Sequence, residues 1–409
     1  MNDHEDVVVT GLGAITPLGA DSVSTWSGLL TGKSGVSLLT EEWAADLPVR
    51  VAAGLPVDPV SLLDRVEARR LDRCEQLALI SSREAWRDAG TPEVEPERLA
   101  VVIGTGTGGV LTTLGQDDTY EKSGARGLSP YAVPMLMPNG PAAWVSMDLG
   151  ARAGARTPVS ACASGAEAIA MGLDLIRAGR ADVVVAGGTE ACLHPFTLAA
   201  FAQMKALSPQ EHDPETVSRP FDADRSGFVM GEGAGVLVLE RASFARARRA
   251  RVYGAVAGAA VTSSADHITA SDVAGQVRAI ETALRDAGLG PADIGVVHAH
   301  ATSTPSGDLA EADAVARAIG THPVVTATKS MTGHMLGASG AVGAMAALLA
   351  LHDGTVPATR NLDRLDPAVQ LDVVAGTNRT GEWDAALANS FGFGGHNVSL
   401  VLTRTPTNG

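Results

Sequence analysis

Short, nearly unbroken apolar runs recur along the chain: VVVT (7–10), LAVVIG (99–104), ADVVVAGG (181–188), GVLVLE (235–240), IGVVHAH (294–300), VVTAT (324–328) and VSLVLT (398–403). They lack the polar–apolar alternation of a half-exposed strand and predict strands covered on both faces. Alanine-rich stretches with helical spacing lie between them, at 73–89, 163–179, 275–287, 308–319 and 338–352. Such alternation predicts an α/β fold with helix-covered sheets. VVVTGLGAITPLG from residue 7 echoes VVHAHATSTPSG from residue 296, each a strand and a small-residue turn ending in Pro-x-Gly. The echo fits a duplicated βα unit. No low-complexity linker separates the halves, and the proline- and charge-rich stretch 205–226 reads as a surface excursion.

The chain's 409 residues suffice for two packed halves with substantial cores. Its net charge of −15 argues against the basic face of a nucleic-acid binder. The opening MNDHEDVVVTGLG carries acids where a signal peptide carries a basic n-region, and apolar runs break before the roughly 18 residues of a membrane span. Cys74, Cys162 and Cys192 are odd in number and lack CxxC spacing, which points away from a disulfide framework or zinc ribbon. These features predict a cytoplasmic protein with no membrane partner.

The chemistry concentrates in VSACASGAEAIAMGLDLI (159–176), where a short β-like run gives way to a helix at Cys162. A cysteine at a helix start feels unpaired N–H groups and the positive dipole end, which predicts a thiolate pKa below the free value of about 8.5. A small buried structural cysteine is the competing reading for Cys162, and the one adopted for Cys74 and Cys192. A thiolate nucleophile needs partners for oxygen and proton. His300 in HAHATSTPSGD and His334 in ATKSMTGHMLGASGA both stand at strand ends beside small residues. His298 and His300 form an HxH pair, but no further ligands at metal spacing accompany it, so no metal and no cofactor are expected.

Only four of the 31 basic residues are lysines: Lys33, Lys122, Lys205 and Lys329. Lys329, in a small-residue turn five positions before His334, reads as an ammonium wanted for itself. NSFGFGGHNVSL (389–400) either aims backbone N–H groups at a reacting oxygen or makes a tight turn. GTGTGG (104–109) follows a strand, but the segment after it is a poor dinucleotide-binding helix with no acid about 20 residues on.

Taken together, ACASG around Cys162, HATSTPSGD after His300, KSMTGH with Lys329 and His334, and NSFGFGGHN resemble the β-ketoacyl-ACP synthases I and II, the elongating condensing enzymes of fatty acid synthesis. The similarity runs nearly the whole chain, and MPNGPAAWVSMDLGARAG (137–154) is most similar to actinobacterial members, including mycobacterial long-chain elongators. The resemblance implies a thiolase fold of two similar halves, 1–250 and 251–409, layered αβαβα and assembled as a homodimer. It implies that Cys162 takes the acyl chain from acyl-ACP and that malonyl-ACP then decarboxylates and attacks that thioester. His300 and His334 would hydrogen-bond the malonyl thioester carbonyl, and Lys329 would hold His334. The N–H groups of Cys162 and Phe393 would form the oxyanion hole, with Phe393, flanked by Phe391, gating entry.

Three positions depart from the family. A glutamate usual nine residues beyond the histidine of KSMTGH, part of a buried polar or cation-binding network, is Gly343 here. Thr107 stands where relatives have a bulkier apolar gate and Ala132 where an aromatic is frequent, which predicts a roomier acyl channel. The carrier protein is acidic, like this chain, so docking requires a local basic patch. Arg65, Arg69, Arg70 and Arg73, at helical spacings, with Arg126 and Lys205, are its candidates; a basic position common in relatives is Gln210 here. Competing functions are a catalytically idle partner subunit, which would usually lack the cysteine, an acyl-CoA-dependent thiolase or starter synthase, and a specialised paralogue that serves a natural-product pathway or tolerates an inhibitor.

Overall fold

The computed structural model describes residues 6–404. Ten strands carry the architecture: β1 (Val7–Ile15), β2 (Leu99–Gly104), β3 (Gly154–Arg156), β4 (Val183–Glu190), β5 (Gly233–Arg241), β6 (Gly254–Ser263), β7 (Ile294–His298), β8 (Val324–Thr326), β9 (Ala385–Gly392) and β10 (His396–Thr403). They form one sheet in the order β8-β7-β9-β10-β6-β1-β5-β4-β2-β3, with Asp372–Val373 as a short edge pairing beside β8. Strand directions repeat about the middle. β1, β5 and β4 run antiparallel in turn, then β4, β2 and β3 run parallel. β6, β10 and β9 are likewise antiparallel, and β9, β7 and β8 parallel. Each half therefore has the same strand order and the same directions. The halves join where β1 meets β6 through Val8–Ala255 and Val9–Gly254.

Five long helices complete the layers: α1 (Arg73–Asp88), α2 (Ser164–Arg177), α3 (Val273–Ala287), α4 (Pro305–Ala318) and α5 (Ser339–Asp353). α2 and α5 lie between the two halves of the sheet, packed against Val184, Ala186 and Leu237 on one side and Ala386, Val398 and Leu400 on the other. α1 covers the outer face of the first half, and α3 and α4 that of the second. α5 is buried at every position from Ser339 to Leu351, which explains its almost wholly apolar sequence. The segment Leu336–Asp353 is long and apolar enough to cross a membrane by composition, but 89% of it is enclosed by the protein, as in a core helix.

Small residues set how closely the middle helices approach. A Cβ on Gly165 would stand 2.7 Å from the Gly337 carbonyl oxygen, and one on Gly340 would stand 2.8 Å from the Ala166 nitrogen. Both distances lie inside van der Waals contact, so the starts of α2 and α5 touch backbone to backbone.

All seven expected strands and five expected helices form, with shifted ends. The repeat is registered differently from the sequence echo. β1 corresponds by topology to β6, whereas the strand at 294 corresponds to β2. β6 (GAVAGAAVTS) and β9 (ALANSFG in its greater part) went unread because alanine, glycine and serine supply little of the β-branched signal that marks a strand.

Candidate active site

Cys162 occupies a single 3₁₀ turn, Ala161–Ala163, immediately before α2. Ala161 has a φ of +51°, a left-handed conformation uncommon for a residue with a Cβ. The Ser164 hydroxyl holds this turn, accepting from the Ser160 N–H at 2.9 Å and donating to the Ala161 carbonyl at 2.7 Å. β9 passes alongside: the Ser390 hydroxyl donates to the Cys162 carbonyl at 2.9 Å. At Gly392 the backbones are so close that a Cβ would lie 2.5 Å from the Ser160 carbonyl oxygen.

The sulfur is not a resting thiolate. Burial pushes the Cys162 thiol up to about 11, against the lowering effects of Lys329 and of the Phe393 and Cys162 backbone N–H groups; Glu190 raises it further. The N–H groups at the helix start do favour the thiolate, but desolvation of the anion exceeds what they return. Cys74 and Cys192 are fully buried and pushed well above the ordinary thiol range, by burial first, as core thiols.

His300 lies just past the end of β7, and His334 follows the one-turn helix Lys329–Thr332. Gly333, at φ +62°, ends that helix, and the His334 N–H then donates to the Val229 carbonyl at 2.7 Å. The two imidazoles meet edge to face, with centroids 5.4 Å apart. Phe391 packs against His300 and Phe228 against His334. Both histidines are buried and held well below the ordinary imidazole range, by desolvation first and by the Lys329 charge second. They are therefore neutral at physiological pH, each able to donate one N–H. His334 Nδ1 pairs with the Ser339 hydroxyl at 3.1 Å, while its buried Nε2 has no hydrogen-bond partner among the described residues.

Lys329 is placed on His300 rather than on His334. Its Nζ donates to the His300 carbonyl and stands 3.4 Å from His300 Nδ1. Burial lowers it to about 8, offset by Glu311, Cys162 and Asp308. Glu311 was not among the sequence candidates, yet it accepts from the His300 N–H at 2.8 Å and the Ala301 N–H at 2.6 Å. Its signal was the acidic pair Asp308 and Glu311, three apart on α4 and both buried. A second carboxylate, Glu190, acts on the sulfur through its charge and accepts from the N–H groups of Gly106, Thr107 and Gly337 and the hydroxyls of Thr105 and Thr107.

Cys162, His300, His334, Phe391 and Phe393 line one cavity of about 90 Å³. Thr107 and Ala132 are not among its lining residues. The Thr107 hydroxyl is engaged by Glu190 at 2.6 Å, and Ala132 begins a short helix beside exposed Tyr131 and Val133. The expected basic helix face also divides. Its helix spans only Arg65–Ala68, a new one starts at Arg73, and Arg73 is bound to Glu232 at 2.6 Å. Arg65, Arg69, Arg70, Arg126 and Lys205 are exposed. Among the described residues, no three His, Cys, Asp or Glu side chains form a metal-holding group.

A half-buried cysteine under two backbone donors, sharing a cavity with two neutral imidazoles and close to a buried ammonium, has the parts that acyl transfer needs. Residues 4–245 match the family profile "Beta-ketoacyl synthase, N-terminal domain" and residues 253–363 match "Beta-ketoacyl synthase, C-terminal domain". The chain belongs to the beta-ketoacyl synthase family, and its duplicated layers are the thiolase fold. It is 44% identical over 404 residues, 97% of each chain, to a protein of Mycobacterium bovis named 3-oxoacyl-[acyl-carrier-protein] synthase 2. A solved beta-ketoacyl synthase from Burkholderia phymatum has a TM-score of 0.91 at 33% identity, covering 98% of this chain and 99% of that one. A type II polyketide ketosynthase solved in complex with its acyl carrier protein has a TM-score of 0.89 at 28% identity, covering 98% and 99%. This chain is accordingly an acyltransferase of the condensing kind.

The titration of the sulfur has a direct readout. Iodoacetamide alkylation of Cys162 is expected to rise about tenfold per pH unit between pH 7 and pH 10, as a thiol of pKa about 11 requires. Lys329→Ala should slow it at pH 7 by removing a charge that favours the thiolate. Intact-mass kinetics with peptide mapping check both, and a pH-independent rate contradicts the assignment.

Proposed function

We propose that this enzyme condenses malonyl-ACP with an acyl chain held on Cys162, forming 3-oxoacyl-ACP in fatty acid elongation. The observation that carries the reading is the shared cavity of Cys162, His300 and His334 with the Phe393 and Cys162 N–H groups facing the sulfur. In the first half-reaction the Cys162 sulfur attacks the acyl-ACP thioester, its proton passes to the departing carrier thiol, and the two N–H groups receive the oxyanion. In the second, malonyl-ACP loses CO₂ and becomes an enolate whose oxygen accepts from the His300 and His334 imidazoles. The enolate carbon attacks the acyl thioester, and the Cys162 sulfur leaves. Neutral imidazoles suit this step, because the donors gain strength only as the charge develops. Lys329 positions His300 through its carbonyl, and its charge adds to burial in keeping both rings neutral.

Two partners follow. The carrier protein docks on Arg65, Arg69, Arg70, Arg126 and Lys205; Arg70 lies over the Tyr131 ring at 5.4 Å from its centroid. A second copy of the chain pairs along β3, whose outer edge is unpaired and exposed at Ala155 and Arg156. Nearby Met147 and Val159 expose apolar side chains that such pairing covers. Three unpaired thiols suit a reducing cytoplasm.

Cys162→Ala is expected to abolish the acyl adduct formed with acyl-ACP, whereas Cys74→Ala and Cys192→Ala keep it. His300→Ala and His334→Ala should lower malonyl decarboxylation by about 10²–10³, the usual cost of losing one such donor. CO₂ release at the parent rate by both histidine variants overturns their roles. Arg69→Glu with Arg70→Glu should raise KM for acyl-ACP about tenfold at low salt with kcat unchanged, and unchanged KM eliminates the patch. Sedimentation should give twice the chain mass, with a Val159→Arg variant shifted toward monomer.

A further inference from the structure

His298 ends β7, opposite Thr326 and Ala388 in register, and is 2% exposed. The mechanism above does not use it. Its Nε2 pairs with the Thr328 hydroxyl at 2.8 Å, and its ring lies against α5 at Gly343. A Cβ at 343 would stand 2.8 Å from His298 Cε1 and 2.9 Å from Nδ1. Neither a glutamate side chain nor a cation held by one fits there. The residues of this chain therefore disagree with the buried carboxylate–cation network implied by its resemblance to the elongating synthases.

The imidazole also stands where it can act on the site. β7 and β8 run parallel and separate beyond His298 and Thr326. Two side-chain ties span the opening: His298 to Thr328, and Lys329 to His300. Thr328 precedes the one-turn helix, and its carbonyl accepts from the Met331 N–H at 2.9 Å and the Thr332 N–H at 3.1 Å. Fixing the Thr328 hydroxyl thus fixes the root of Lys329. Burial and the Lys329 charge push His298 down to about 3, so the ring stays neutral and adds no competing cation.

We propose that the His298 imidazole, seated on Gly343, takes the place of the buried carboxylate and cation, and acts as a positioning residue for Lys329 and His300 through Thr328. The site consequently works without a bound cation, and positions 298 and 343 are coupled: the ring requires the missing side chain. This rests on the reading of His300 as an enolate donor.

The test uses the full-length enzyme, malonyl-ACP decarboxylation, Cys162 acylation by mass, and thermal unfolding. Replacing potassium by choline at constant ionic strength should leave both the unfolding midpoint and the decarboxylation rate unchanged, since a bound ion would stabilise the folded state by mass action. His298→Leu should lose about a hundredfold in decarboxylation, on the scale of one lost positioning contact, while acylation stays near parent. His298→Gln, whose amide still reaches Thr328, should recover most of that loss. Gly343→Glu should unfold at lower temperature, and His298→Asn combined with it should restore the midpoint by removing the clash. A midpoint that depends on potassium, equal loss of both half-reactions in His298→Leu, or additive midpoints for the pair overturns the proposal. The midpoint results stand even if the donor role of His300 fails, so the two failures are distinguishable.

Discussion

The Lys329 ammonium sits where an unpaired cation would be costly, held by the His300 carbonyl and by the charges of Glu311 and Asp308. Much of the site follows from its position. Its charge adds to burial in keeping His300 and His334 uncharged, and it works against burial at the Cys162 sulfur. Glu311 ties the arrangement to the backbone by accepting from the N–H groups of His300 and Ala301. One cation thus biases a nucleophile toward its anion and two imidazoles toward their neutral form. A second cation nearby would upset that balance, which is why a neutral ring at 298 suits this chain.

The scaffold contributes through close backbone approach. Gly165, Gly340 and Gly392 stand where a single methyl group would collide with backbone atoms. Glu190 fastens the 105–107 turn to Gly337 through its hydrogen bonds. The hydroxyl at 107 is tied to Glu190, away from the lining of the cavity around Cys162, so the smaller residue there does not open onto it.

Much of this was legible in the sequence because it rests on local signals. Val183–Glu190 and Ile294–His298 announced themselves as buried strands, and the small residues around Cys162 marked a strand–turn–helix junction. What escaped depends on spacing through the fold. The β6 strand hid because glycine and alanine carry little pattern, and with it went the true register of the duplication. The thiol's upward shift needs the depth of burial, which no local pattern reports. Arg73 read as a surface charge until Glu232, distant in sequence, closed on it. Glu311 and Glu190 likewise acquire meaning only from the backbone donors that converge on them.

The first half supplies the nucleophile and the second supplies both imidazoles, yet among the described residues β1 and β6 pair at two positions alone, Val8–Ala255 and Val9–Gly254. The joint is instead carried by α2 and α5, whose starts touch through Gly165, Gly337 and Gly340. The spacing of the backbones that carry Cys162 and His334 is therefore set by main-chain contact. Any residue with a Cβ at the crossing would lengthen that spacing.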